Sequence, residues 1–366
     1  MSISLQRLLP LFERERQAGH AMVMATVLRT AGPTYSKSGA LMLITHSGEY
    51  AGILTGGCLE GDLSERSRAV LSQGSAVVTS YDMRGPDDLL FGLGSGCEGA
   101  MDILLQRLDP RGDWQPMDRL AQAWRAQRAA SLVLVGRSGD SRWPSGSGVF
   151  AEDGVVFGTA CADRAGAASL RVLAQQSLAQ KSGRILAQAL PGIDVLALYQ
   201  ERPSRILLLG GGPDAQPVAE LAAFLGWQIT LIDHRPHYAR SARFPAARAV
   251  LDTGPAGLRE LLASEQAPFD SAIIMSHHFA TDLAYLRVVA ETEIPYVGLL
   301  GPIVRRERLM AELGAGAARL RSRLRAPVGL DLGAAGPESI ALAIVAEIQG
   351  TLAGRESMGP MSRKQA

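Results

Sequence analysis

The chain has 366 residues, 47% hydrophobic and 20% charged, the composition of a folded globular protein rather than a disordered one. That length predicts two domains, each able to bury a core. Thirty-seven Lys and Arg against 36 Asp and Glu leave a net charge of +1, which argues against nucleic acid as a main partner.

Residues 2–18 read as an amphipathic opening helix. A strand follows from Ala21 to Thr30, then a Gly/Pro/Ser-rich loop from Ala31 to Ala40. LMLIT from Leu41 is a strand before a turn at Ser47-Gly48, and YAGILTGG reads as a further strand running into Cys58. From Leu59 the pattern turns helical, with Leu63, Ala69, Val70 and Leu71 apolar. VVTSYD, ending at Asp82, is a strand. The loop FGLGSGCEGA, from Phe91, leads into a strand ending at Leu108.

The middle of the chain echoes this order. SLVLVGRSG from Ser131 resembles ATVLRTAG from Ala25. SGSGVFAEDGVVFGTAC from Ser145 resembles SGALMLITHSGEYAGIL from Ser38, and RVLAQQSLAQKSGRI from Arg171 resembles SRAVLSQGSAVV from Ser67. A degenerate internal duplication within one N-terminal domain, residues 1–200, is expected. Its second copy lacks GGCLE, so chemistry belongs to the first copy. Pro191 to Ser204 reads as a bridge, with Pro203 at the boundary.

Beyond it, short apolar strands alternate with helices: Arg205–Leu209, Gln228–Ile232, Ala247–Asp252, Ser271–Met275 and Pro295–Leu300. This pattern predicts a parallel sheet covered on both faces, a Rossmann-like domain over 204–354. Gly226 stops the first of these helices. The last starts at Pro337 and buries Ile340, Ile344 and Ile348, and residues 355–366 form a flexible tail. The fold class is α/β, an N-terminal mixed-sheet domain followed by the parallel-sheet domain.

Cys58, Cys97 and Cys161 lie far apart without CxxC spacing, so they read as reduced thiols rather than a disulfide framework or a zinc site. Arg7, Glu13, Arg14, Glu15 and Arg16 interrupt the first apolar stretch, and no run approaches the ~20 apolar residues of a membrane helix. A soluble, cytoplasmic protein without membrane partners is expected.

Gly210-Gly211-Gly212-Pro213-Asp214-Ala215 is a GxGxxA loop between a strand and a helix, a place where backbone can approach a pyrophosphate. Asp233, 233 − 210 = 23 residues on, ends the next strand, where an acid can hold ribose hydroxyls. Pro213 removes one donor, so a glycine turn without a ligand stays open as a reading. His277 and His278 fall at the same strand ends with Asp282 a turn later, and a capping or core role for one histidine outweighs metal ligation. Cys58, in GGCLE with Glu60, and Cys97, in GSGCEG, are glycine-flanked. A thiol near a helix N-terminus gains thiolate character, whereas most free cysteines are small buried hydrophobes. The N-terminal half holds only His20 and His46 and no evident acid–base pair.

GPTYSKSGALMLI, GILTGGCLEGDL, GSGCEGAMDILL, LLLGGGPDA, DHRP, MSHHFATD, PYVGLLGP and PVGLDLGAAGPESIALAIVAEI follow one another in this chain. In that order they resemble the XdhC/CoxI family, accessory proteins of xanthine dehydrogenase and related molybdenum hydroxylases. The resemblance runs from about Ala21 to about Gly354, and GGCLEGDL and PYVGLLGP-to-PESIALAI carry its specificity. It implies a non-catalytic maturation chaperone that binds molybdenum cofactor, in its molybdopterin or nucleotide form. Such a protein supports sulfuration of the cofactor by a cysteine desulfurase and inserts it into the apo molybdenum hydroxylase. A homodimer is also implied. Carried over residue by residue, Cys58, Glu60, Cys97, Gly210, Gly212 and Asp233 are candidate cofactor-binding residues, with Cys58 and Cys97 facing molybdenum; His277 joins them by its place at the same strand ends. Ser36 stands where the family usually has arginine, and Glu98 where it commonly has Gly or Asn. Two alternatives stay open, an NAD(P)-dependent oxidoreductase using the GxGxxA loop and a sulfurtransferase carrying persulfide on Cys58 or Cys97.

Overall fold

The computed structural model describes residues 5–84, 99–159, 163–264, 268–333 and 335–355; Cys97, Glu98, Cys161 and the expected tail from residue 356 lie outside them. Two compact units divide at the boundary between Arg202 and Pro203.

The first unit contains two five-stranded sheets. In one, β1 (Met22–Ala31), β2 (Leu41–Thr45), β3 (Tyr50–Ala51), β4 (Val77–Asp82) and β5 (Ala100–Leu108) take the order β3-β2-β1-β5-β4. In the other, β6 (Ala130–Ser138), β7 (Gly148–Phe150), β8 (Val156–Phe157), β9 (Arg184–Leu190) and β10 (Ile193–Gln200) take the order β8-β7-β6-β10-β9. The two orders are one topology used twice, and the segments that echo each other in sequence occupy matching places in it. Helix α2 (Glu60–Gln73) joins the third and fourth strands of the first sheet, as α4 (Arg164–Gln180) does in the second. Within each sheet every pairing is antiparallel, so the mixed sheet expected here takes the form of two antiparallel ones.

Period-two alternation assigns the layers. Met22, Met24 and Leu28 of β1 and Leu41 and Leu43 of β2 enter a core shared with Leu132, Leu134, Leu196 and Leu198 of the second sheet. Helices α1 (Leu5–Gln17) and α3 (Met117–Arg125) close that core with Leu8, Phe12, Leu120 and Trp124. The intervening residues Val23, Ala25 and Val27 face α2 through Leu63 and Val70, and Val133, Val135 and Val195 face α4 through Leu170 and Ala174.

Two local readings are corrected. The strand read into the Cys58 loop stops at Ala51, because Gly52 takes φ +91 and the Leu41 carbonyl oxygen lies 2.6 Å from where a Cβ would sit. The segment read as a bridge from Pro191 contains β10, which pairs with both β6 and β9; Gly192, at φ +74, makes a hairpin turn and not a linker.

The second unit holds one parallel sheet of β11 (Arg205–Leu209), β12 (Gln228–Asp233), β13 (Ala249–Asp252), β14 (Ser271–Ile274), β15 (Tyr296–Leu299) and β16 (Leu324–Arg325). Its order, β13-β12-β11-β14-β15-β16, reverses direction at β11, which puts a switch point between β11 and β14 at their carboxyl ends. Leu207, Leu209 and Ile274 face a core with α6 (Pro255–Ser264), α7 (Phe279–Ala290), α8 (Ile303–Leu313) and α9 (Gly316–Leu320). Ile206, Leu208 and Ile273 face α5 (Ala215–Phe224) and α10 (Pro337–Leu352), where Ile344 and Ile348 are fully buried. No helix among the described residues is long and apolar enough to cross a membrane.

Candidate functional site

Each unit contributes its own constellation. In the second, the chain leaves β11 through Gly210, whose φ of +124 and contact with the Met275 carbonyl oxygen, 2.5 Å from a would-be Cβ, require glycine. The loop is pinned on both sides: the Gly210 N–H donates to the Ile232 carbonyl, and Arg243 Nη1 donates to the Gly211 carbonyl at 2.8 Å. A Cβ on Gly212 would lie 2.6 Å from Asp214 Oδ1 and 3.9 Å from His277 Cδ2, so those two side chains border the loop.

Asp233 ends β12 beneath this loop, where the sequence places it, and its carboxylate is turned inward. It is fully buried. Oδ2 accepts the Gly211 N–H and Arg235 Nη2, both at 2.7 Å; Oδ1 accepts the Arg235 backbone N–H and Nε, both at 2.9 Å. Four donors fill the acceptor capacity of a carboxylate, leaving nothing for ribose hydroxyls. Burial pushes the Asp233 carboxyl up, but the Arg235 guanidinium and the backbone donors outweigh it and hold the group below the ordinary range.

Across the switch point, β14 runs into Ser276-His277-His278. His277 adopts φ +60, uncommon for a residue with a Cβ, and its Nε2 lies 2.7 Å from Asp214 Oδ2 at the start of α5. His278 occupies the N-cap position of α7, its Nδ1 2.9 Å from Thr281 Oγ1, the capping place anticipated for one of the pair. Asp282 is fully buried; its Oδ1 accepts the Ser276 hydroxyl at 2.5 Å, and its Oδ2 accepts Arg305 Nη2 at 2.7 Å. The Tyr285 hydroxyl, fully buried, makes no hydrogen bond, and burial together with the Asp233 and Asp282 charges pushes it well above the usual phenol range. The structure thus brings Gly210, Gly212, Asp233 and His277 to one set of strand ends. Sequence reasoning missed Arg235, Tyr285 and Arg305 there. The Asp-x-Arg spacing could have revealed Arg235; nothing local marks Arg305, on a helix 23 residues past Asp282.

In the first unit, Gly56 and Gly57, at φ +77 and +113, turn the chain so that half-buried Cys58 precedes α2. Glu60 organises this turn. Its Oε1 accepts the Leu54 and Thr55 N–H groups at 3.2 and 2.9 Å; its Oε2 accepts the Thr55 hydroxyl at 2.6 Å and the Gly57 N–H at 3.0 Å. Burial raises this carboxyl, but the Thr55 hydroxyl and the backbone donors outweigh it and hold the group below its ordinary range. Glu60 therefore holds the Cys58 loop through a filled carboxylate. The Tyr35 ring lies against Gly56, and the Pro33 carbonyl and Thr34 crowd Gly99, so the 33–35 loop touches both the Cys58 loop and the residue that follows Glu98.

A glycine loop, a parallel sheet in 3-2-1-4-5-6 order and a preceding pair of antiparallel sheets define a protein with a Rossmann-type C-terminal unit. Residues 206–348 match the XdhC Rossmann domain, and residues 15–82 match the XdhC and CoxI family. A Bacillus subtilis (strain 168) protein, named as a probable subunit of xanthine dehydrogenase, is 30% identical over 332 residues, 89% of this chain and 92% of that one. The uncharacterized protein YqeB of Escherichia coli (strain K12) is 29% identical over 158 residues, 42% of this chain and 28% of its own. A crystal structure described as a xanthine dehydrogenase from Bacillus halodurans aligns with a TM-score of 0.76 at 28% identity, covering 98% of this chain and 99% of that one. The chain belongs to the XdhC and CoxI family.

Proposed function

We propose that this protein is an accessory factor for a xanthine dehydrogenase-type molybdenum hydroxylase, one that holds molybdenum cofactor while its sulfido ligand is installed and then passes it to the apoenzyme. Family membership, with relatives named for xanthine dehydrogenase, supports the association with such an enzyme. The observation that carries the cargo role is the pinned glycine loop at the switch point, bordered by His277 and Asp214. Such a loop, opening a helix at the carboxyl ends of parallel strands, suits a phosphate or nucleotide tail. Within the first unit, the glycine-set Cys58, its turn fixed by Glu60, is the candidate thiol for molybdenum, with Cys97 the second. A cysteine desulfurase and a second copy of the chain complete the proposed partners.

Hydride transfer with NAD(P) fits less well. The acid that would grip a ribose is buried and fully engaged by Arg235 and Gly211. Glu60 and Asp233 thus act as supports beneath the ligand surface rather than as contacts to cargo.

Titration of the purified protein with molybdenum cofactor tests the reading. Saturable one-to-one binding is expected, weakened in the Cys58→Ala/Cys97→Ala double variant. Unchanged affinity in that variant removes the thiols from the site; no binding by the wild type removes the carrier role. Turnover of NAD(P)H with a substrate would favour the oxidoreductase, and labile sulfur mapped to one cysteine the sulfurtransferase.

A further inference from the structure

The last turn of α1, the connection to β1 and the turn after β2 bring together three side chains that the cargo role does not use: Glu15, His20 and His46. One ligand-capable atom of each lies within 4.8 Å of those of the other two. We propose that Glu15, His20 and His46 bind one divalent transition-metal ion, with zinc the ion that suits the donor set.

The geometry is nearly formed. Glu15 is 6% exposed, and Arg14 Nε holds its Oε1 at 2.9 Å, which leaves Oε2 facing His20 Nδ1 at 3.0 Å. Ligand atoms around tetrahedral zinc sit roughly 3.3 Å apart for metal–ligand bonds of about 2.0–2.1 Å, so this pair already has the required spacing. The two imidazoles lie edge to face, centroids 5.3 Å apart at 71°, an arrangement in which two rings can present nitrogens to one point. Both rings are exposed, so an ion can enter from solvent, and a water can take the fourth position. Two imidazoles and one carboxylate favour zinc over calcium or magnesium, which want oxygen donors.

Further contacts fix the segments that carry the ligands. Trp114 Nε1 donates to the His20 carbonyl at 3.1 Å. Arg14, besides holding Glu15, reaches Glu49 Oε1 at 3.1 Å and so ties the turn that carries His46 to α1. Thr45 and Ser47, on either side of His46, share a hydroxyl hydrogen bond of 2.8 Å. The competing explanation is a plain Glu15–His20 ion pair with His46 beside it, and it predicts no dependence on His46.

The experiment uses tag-free, metal-stripped full-length protein titrated with cobalt(II) and then zinc. The expected result is one saturable cobalt site with the spectrum of nitrogen and oxygen ligands, displaced by one equivalent of zinc. His20→Ala and His46→Ala should each weaken binding by more than about 100-fold, the upper range for losing a mere supporting group. Zinc should raise the unfolding midpoint of the wild type and leave those of the variants unmoved. Imidazole resonances of His20 and His46 in the wild type provide a readout that needs no variant; both must shift with one equivalent of zinc. No saturable binding, undiminished binding in His46→Ala, a thiolate-to-cobalt band or unshifted resonances would overturn the proposal.

Discussion

Replacing Asp233 with alanine separates a residue that holds the glycine loop from one that holds a ligand. The carboxylate makes four hydrogen bonds from a position with no solvent exposure, three to Arg235 and one to the Gly211 N–H. An orphaned backbone donor costs about 1–3 kcal/mol. Losing one partner of a buried ion pair costs about 3–5 kcal/mol, but the Arg235 side chain is 29% exposed and can rehydrate, which moves the cost to the low end. With both costs at their low ends, the expected destabilisation is about 4 kcal/mol. Because Arg235→Ala removes the same pair, the double variant should fall short of additivity by about 1–2 kcal/mol. Hydrogen exchange across β11, the glycine loop and β12, followed through a urea series, reports the change in this unit. The pH dependence has a definite sign. The folded carboxyl lies below its unfolded value, so its contribution is complete above the unfolded pKa and is lost as pH falls through the folded one. Acidification should therefore cost the wild type stability that Asp233→Ala has already lost. If Asp233→Ala keeps wild-type stability and loop protection yet abolishes nucleotide binding, the residue is a ligand contact and the reasoning fails.

Glu60→Gln should cost about 1–3 kcal/mol, because an amide cannot accept from every donor that the carboxylate serves. Faster exchange at residues 54–59 would report it, and unchanged protection there would count against the loop-holding role. Gly210→Ala should lose at least about 2 kcal/mol, since φ +124 and the Met275 carbonyl both oppose a Cβ; a urea midpoint equal to the wild type would contradict this. Tyr285→Phe should be neutral or stabilising in the same assay, because the hydroxyl it removes has no partner. A loss above about 1 kcal/mol would reveal a partner for that hydroxyl.

Much of this architecture was legible because the local signals agreed. Apolar runs of four to six residues alternating with helical stretches mark a parallel sheet, and GGGPDA falls between a strand and a helix as the loop does. Where punctuation was ambiguous, the sequence misled. Pro191-Gly192 reads as a linker, yet Gly192 turns a hairpin into β10, whose pairing with β6 is a long-range fact. The two-residue strand β16 is too short to leave a periodic trace. Asp233 was found by spacing, but spacing cannot say which way a carboxylate faces; that depends on Arg235 folding back two residues later. Asp282 could be noted beside the histidines, whereas its partner Arg305 comes from α8 and only tertiary packing joins them. The same holds for His46, which only the fold brings to Glu15 and His20; those two lie five residues apart but belong to no motif.

The most direct test of the carrier role is the molybdenum and sulfido content of the client hydroxylase purified from a strain that lacks this chain. The account predicts enzyme short of sulfurated cofactor and low in activity, restored when the wild-type chain is supplied. A hydroxylase that remains fully loaded and fully active without it would contradict the account.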